Sequence, residues 1–112
     1  MKDYSKLSDE ELVDEVAVNV MKWKKDNDFD DAALDYWTDG HISHGNVGVW
    51  NPLKDWNDTW KVVEKYIERQ PNNDFHFESV HGSWDIFSCN KDEVVAHGED
   101  PQRVICIAAL KV

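Results

Sequence analysis

The sequence predicts an α+β fold, a small antiparallel sheet of about three strands covered by helices. Three observations predict it. A capped amphipathic helix opens the chain, two β-rich runs meet at His81-Gly82-Ser83, and an apolar segment behind Asp100-Pro101 closes it. The order of helix, long connection, helix, three strands and helix then places helices against the sheet.

The first helix is expected over residues 8–25. Ser8 and Glu11 have the spacing of a capping box, and Leu7 and Leu12 that of a hydrophobic staple. Asp9, Glu10 and Glu11 suit the positive end of the helix dipole, and Lys22, Lys24 and Lys25 the negative end. Leu12, Val16, Val20 and Trp23, joined by Val13 and Ala17, form the apolar stripe.

Residues 26–54 form an acidic, Gly- and aromatic-rich excursion. Asp26, Asp28, Asp30, Asp31, Asp35 and Asp39 fall in it, and no Lys or Arg appears before Lys54. Asp30 to Trp37 fits a short helical turn. Gly40, Gly45 and Gly48 mark turns, with room for a small hairpin from His41-Ile42-Ser43-His44 to Val47-Gly48-Val49-Trp50. A connection this long in a compact domain is usually functional or mobile.

A second helix is expected over 55–69, with Asn51-Pro52 as a turn, Asp55 as N-cap and Pro71 as the stop. Its buried face reads as Trp56, Trp60, Val63 and Ile67, widened by Val62 and Tyr66. Strands are expected at 75–80 and 84–89, with a third at 94–97 after a turn at 90–93. Trp84 and Ile86 on one side of the second strand, and Phe87 and Cys89 on the other, call for layers on both faces. Asp100 and Pro101 supply N-cap and N1 of a closing helix over 101–111. Its apolar residues nearly circle it, so it should be deeply buried. The β-branched content of Arg103–Ala108 leaves a strand as the alternative there.

A chain of 112 residues without repeats or linkers is expected to form one domain, 1–112. Its 23 acidic residues against 12 basic ones give a net charge of −11. That field opposes phosphate backbones and anionic membranes, so direct nucleic-acid or membrane binding is not expected. It would attract a basic protein surface, including one that normally holds nucleic acid. It also keeps a small protein in solution. Cys89 and Cys106 stand in apolar contexts as buried hydrophobes, not as a disulfide framework or CxxC site. The N-terminus lacks the apolar run of a signal peptide, and Val104–Leu110, the longest apolar stretch, is too short to span a bilayer. The expected compartment is the cytoplasm.

Three segments carry a family likeness: Val16-Ala17-Val18-Asn19-Val20-Met21-Lys22-Trp23, then Trp56 to Tyr66 with Trp60-Lys61-Val62-Val63-Glu64-Lys65 at its centre, and Ala96 to Leu110. On these the chain resembles the phage ABA sandwich family, small proteins of phages and prophages. The resemblance implies a three-layer α/β/α sandwich. Its motifs are helix stripes with Trp anchors, so they speak to fold and bring no catalytic residues with them.

Candidate chemistry is sparse. Asp26-Asn27-Asp28-Phe29-Asp30-Asp31 starts like a calcium loop, but the sixth and twelfth places hold Asp31 and Trp37 instead of Gly and Glu. His41 and His44 are spaced HxxH beside two glycines, without paired cysteines or an HExxH pattern. His76, His81 and His97 surround the strands and read as structural or surface residues. No nucleophile elbow, activated thiol or phosphate-cradling loop is present. No metal or cofactor is expected.

Trp56 and Trp60 read as core, whereas Trp37 and Trp50 in the excursion read either as stacking or interface anchors or as local packing of the loop onto the sheet. The candidate binding set is therefore Tyr36, Trp37, His41, His44, Asn46 and Trp50, with Lys54 and Arg103 as cations brought from elsewhere in the chain or from a neighbouring subunit. Asp28, Asp30, Asp31, Asp35 and Asp39 form the candidate acidic surface. The expected function is a non-enzymatic, phage-derived accessory protein that binds a host component and counters host defence. Acidic mimicry and sequestration of a nucleotide signal are its two versions. The alternatives are a small hydrolase or metal-dependent enzyme using the histidines and aspartates, and a structural or regulatory phage protein acting as a homo-oligomer.

Overall fold

Ser8 starts the first helix as its spacing requires. Its hydroxyl accepts from the Glu11 backbone N–H at 3.2 Å, and the Glu11 carboxylate accepts from the Ser8 N–H at 3.1 Å. The computed structural model describes residues 3–26, 35–70, 75–87 and 93–111. Helix α1 runs Asp9–Glu15 and widens into a π-helical segment, Val16–Val20, where the Met21 N–H reaches the Val16 carbonyl at 3.0 Å. The helix is thus shorter than 8–25. Lys22 turns left-handed at φ 62°, and the Trp23 N–H bonds back to the Ala17 carbonyl at 2.9 Å. β-Branched residues at positions 16, 18 and 20 crowd a regular α-helix, which favours this loosened end. Arg69 closes it by donating to the carbonyls of Asn19 and Val20, at 3.1 and 2.9 Å. Of the lysines read as the helix end, Lys24 and Lys25 instead enter β1, Lys24–Asp26.

The excursion folds into a sheet of its own. Strands β1, β2 (Tyr36–Thr38) and β3 (Ser43–Asn46) lie antiparallel in that order, pairing Lys25 with Trp37 and Tyr36 with Asn46. The hairpin expected from 41–44 to 47–50 is not formed: strand 43–46 pairs with 36–38 instead, and 47–49 are a turn. Tyr36 and Trp37 therefore belong to a strand and not a helical turn; residues 30–34 of that expectation lie outside the described residues. Asp39 shapes the connection, accepting from the N–H groups of His41 and Ile42 at 2.8 and 3.0 Å.

Asp55 caps helix α2, Trp56–Glu68, by accepting from the Asn57 N–H. Its buried face consists of Thr59, Val62, Val63 and Tyr66, and the two tryptophans assigned to that face stand outside it. Thr59 can be buried because its hydroxyl donates to the Pro52 carbonyl at 2.7 Å and accepts from Gln102 at 3.1 Å. The expected stop at Pro71 lies outside the described residues.

The second sheet has order β4 (His76–Val80), β5 (Ser83–Phe87), β6 (Val94–Gly98), all antiparallel. His81 and Gly82 both have positive φ, 49° and 86°, as a two-residue hairpin turn requires. Helix α3, Pro101–Leu110, is capped by Asp100, and its run Val104–Ala109 is buried throughout. The strand alternative for Arg103–Ala108 is thereby excluded. Helix α3 packs on β5 and β6, and also meets α2 and the π-helical segment. Gly98 permits the approach, since a Cβ there would lie 3.0 Å from a Val104 methyl. Ile86 is buried, Trp84 packs against the core, and Phe87 is half-buried; Cys89 lies outside the described residues.

The described residues form an α+β sandwich of three α-helices and two three-stranded antiparallel sheets. One hydrophobic cluster joins Leu12, Val16, Val62, Tyr66, Ile86 and the α3 run to Trp37, Trp50 and Leu53 of the excursion. Among the described residues no helix is long and apolar enough to cross a membrane.

Candidate functional site

Trp37 sits at the centre of β2 and is fully buried, and Trp50 is 3% exposed. Of the two readings, stacking ring or local packing, the structure gives packing: both rings are core. His44 stacks flat on Trp23 with centroids 4.4 Å apart, and Trp50 meets Trp23 edge-on at 4.8 Å. Lys25 places its Nζ 5.4 Å from the centroid of Trp37. A sheet with strands of three and four residues has little else with which to attach itself to the helices, so its rings turn inward. Among the described residues neither buried indole N–H has a hydrogen-bond acceptor.

Three of the other predicted residues share an open groove of about 480 Å³. Tyr36, His41 and Asn46 line it with Lys24, Asp26 and Thr38. Lys54 lies elsewhere, in a cleft of about 290 Å³ where Asp9, Glu10 and Asp14 of α1 face the turn leading to Trp50. Arg103 is committed to structure: it donates to the Asp9 carboxylate at 2.8 Å and to the Leu7 carbonyl, tying α3 to the start of α1. It joins neither the groove nor the cleft.

Asp39 and His44 are hydrogen-bonded at 3.0 Å across the hairpin. The His44 contact, followed by the N–H groups of Ile42 and His41, holds the Asp39 carboxyl far below the ordinary range. Asp35 is half-buried, while Asp28, Asp30 and Asp31 lie outside the described residues, as does most of the calcium-loop-like run.

The remaining histidines do not assemble. His97 bonds Asp85 across β5 and β6, His76 lies on β4, and His81 is in the hairpin turn. Among the described residues no three His, Cys, Asp or Glu side chains are placed to hold a metal ion. Burial, with Asp100 adding to it, pushes the Cys106 thiol up to about 12, so it stays protonated at neutral pH.

The sequence reading missed the rings that are exposed. Trp56 and Trp60 are 41% and 50% accessible, with centroids 5.9 Å apart on the outside of α2. The signal that could have revealed them is the alternative stripe Thr59, Val62, Val63 and Tyr66, which fills the inward face without either indole.

A family model described as the Phage ABA sandwich domain matches residues 14–110, most of the chain. Comparisons with curated proteins and with solved structures give no match.

Proposed function

We propose that this chain, which belongs to the Phage ABA sandwich domain family, is a non-enzymatic phage or prophage accessory protein that binds a basic surface of a host protein. Its effect would be to blunt host defence by occupying a surface that otherwise receives nucleic acid. The observation that carries this reading is the net charge of −11. Carboxylates of α1, β1 and α2 reach solvent, including Glu10, Asp26 and Glu64. Such a field speeds encounter with a basic surface and rejects acidic ones.

A second reading, sequestration of a nucleotide, draws on the 480 Å³ groove. Tyr36 would face a base there, His41 and Asn46 would supply hydrogen bonds, and Lys24 would meet a phosphate. Burial of Trp37 and Trp50 removes the stacking rings that first favoured it, and Asp26 in the groove opposes phosphate.

Native mass spectrometry of the protein isolated from host lysate separates the two. A basic protein partner is expected, with affinity that falls as salt rises. Asp30→Lys, Asp31→Lys and Asp35→Lys should weaken that complex and flatten its salt dependence. A bound nucleotide mass, held as well or better by the lysine variants, would replace the first reading with the second.

A further inference from the structure

Trp56, Trp60, Glu64 and Glu68 follow one another at intervals of four residues, so they form a single ridge along α2. The two rings are tilted by 39° with centroids 5.9 Å apart, and both are open to solvent. Glu68 is paired with Lys65 at 3.5 Å. Glu64, one turn beyond Trp60, is exposed and has no hydrogen bond or ion pair among the described residues. Lys61 lies about 100° further round the helix from Trp60 and off this ridge.

Two neighbouring exposed indoles are unusual on a surface whose buried stripe is already complete. Indole faces attract cations, and a free carboxylate one turn away supplies the opposite charge. A second copy of the chain would bring another net charge of −11 to the same place, so like charges oppose self-association there. We propose that this ridge is the anchor for the basic partner: an arginine or lysine side chain of that partner lies against Trp56 and Trp60 with its charge on Glu64. This rests on the basic-partner reading and assigns it a site on α2, away from the excursion.

The test uses the full chain, ¹⁵N-labelled, and a short peptide alternating arginine and glycine as the probe. Indole N–H resonances of Trp56 and Trp60 should shift on titration while those of Trp37 and Trp50 stay in place. The Trp56→Ala, Trp60→Ala double variant leaves net charge untouched and should lose about tenfold in affinity or more. Glu64→Gln, which keeps both rings, should lose about threefold. Equal affinity for parent and double variant, with loss only in the Asp30, Asp31 and Asp35 lysine variants, overturns the anchor and leaves the basic-partner reading standing. No binding of the peptide to the parent overturns both. A parent dimer that Trp60→Ala converts to monomer makes a second copy the occupant and also overturns the proposal.

Discussion

The two tryptophan pairs occupy opposite settings and have opposite fates. Trp37 and Trp50 belong to a Gly-rich excursion of short strands and turns, yet they are buried. Trp56 and Trp60 belong to a regular, well-capped helix, yet they are exposed. Regularity of an element therefore says little about the burial of its largest side chains. A short sheet can attach to a domain only by contributing large apolar surface, so its rings become core. A helix whose inward face is filled by Thr59, Val62, Val63 and Tyr66 has no place left for two more rings.

The largest expected effect tests this contrast directly. Trp37→Ala should cost ~3–5 kcal/mol and Trp50→Ala a comparable amount, because each removes a buried ring from the common cluster. Trp56→Ala and Trp60→Ala should each cost less than ~1 kcal/mol. Urea unfolding midpoints at constant slope measure all four. A loss from Trp60→Ala as large as that from Trp37→Ala would break the contrast and return α2's rings to the core.

Thr59→Val sharpens the same comparison from the inward side of α2. The substitution keeps the volume but leaves the Pro52 carbonyl without its donor and the Gln102 amide without its acceptor. The expected loss is ~1–3 kcal/mol in the same unfolding assay. A neutral result would mean that the helix is rotated and that its inward face is not centred on Thr59.

What the sequence made legible follows how local each determinant is. The capping box at Ser8, the Asp55 and Asp100 caps, the His81-Gly82 turn and the buried α3 all depend on residues within a few positions, and all were readable. Strand β1 was not. Lys24–Asp26 is polar and exposed, and it is a strand only because β2, about ten residues onward, pairs with it. The same holds for the candidate site. Tyr36, His41 and Asn46 share a groove because β2 and β3 pair, whereas the glycine spacing pointed to a hairpin of other strands, 41–44 with 47–50. The exchange of roles between the tryptophan pairs was illegible because indoles satisfy an apolar pattern whether or not space remains for them. Arg103 was misplaced for a related reason: nothing local shows that it spans to Asp9 and Leu7.

Among the determinants that were legible, the N-cap of α1 offers a test of intermediate size. Ser8→Ala removes one half of the reciprocal capping pair and should lower stability by about 1 kcal/mol. Amide exchange should quicken in the first turn of α1 before it changes in α2, whose cap is independent. Equal acceleration in both helices would show that α1 and α2 open as one unit.

The smallest expected effect lies at the tip of the excursion, where Asp39 joins His44 and two backbone N–H groups. Its folded carboxyl is held below the ordinary value, first by the His44 bond and then by the N–H groups of Ile42 and His41. Between that depressed value and the ordinary one of about 3.9, the unfolded chain binds the proton more readily than the folded chain. Stability from this group is therefore complete above the ordinary carboxyl range and is lost as pH falls toward the folded value. Asp39→Asn keeps an oxygen for the backbone donors but removes the titration. Thermal midpoints of the two proteins, followed from about pH 7 down to about pH 2, should differ most at the upper end and converge as acid is added. The depressed Asp3 carboxyl is common to both proteins, so its contribution cancels from the difference. Solvent reaches Asp39 freely, so the gap should be small and should shrink further at high salt. Parallel curves across the whole range would mean that Asp39 and His44 do not hold each other in solution. The flat stacking of His44 on Trp23 would then be the side-chain contact left to this histidine, while the Lys25–Asp14 pair at 3.3 Å would still tie the excursion's sheet to α1.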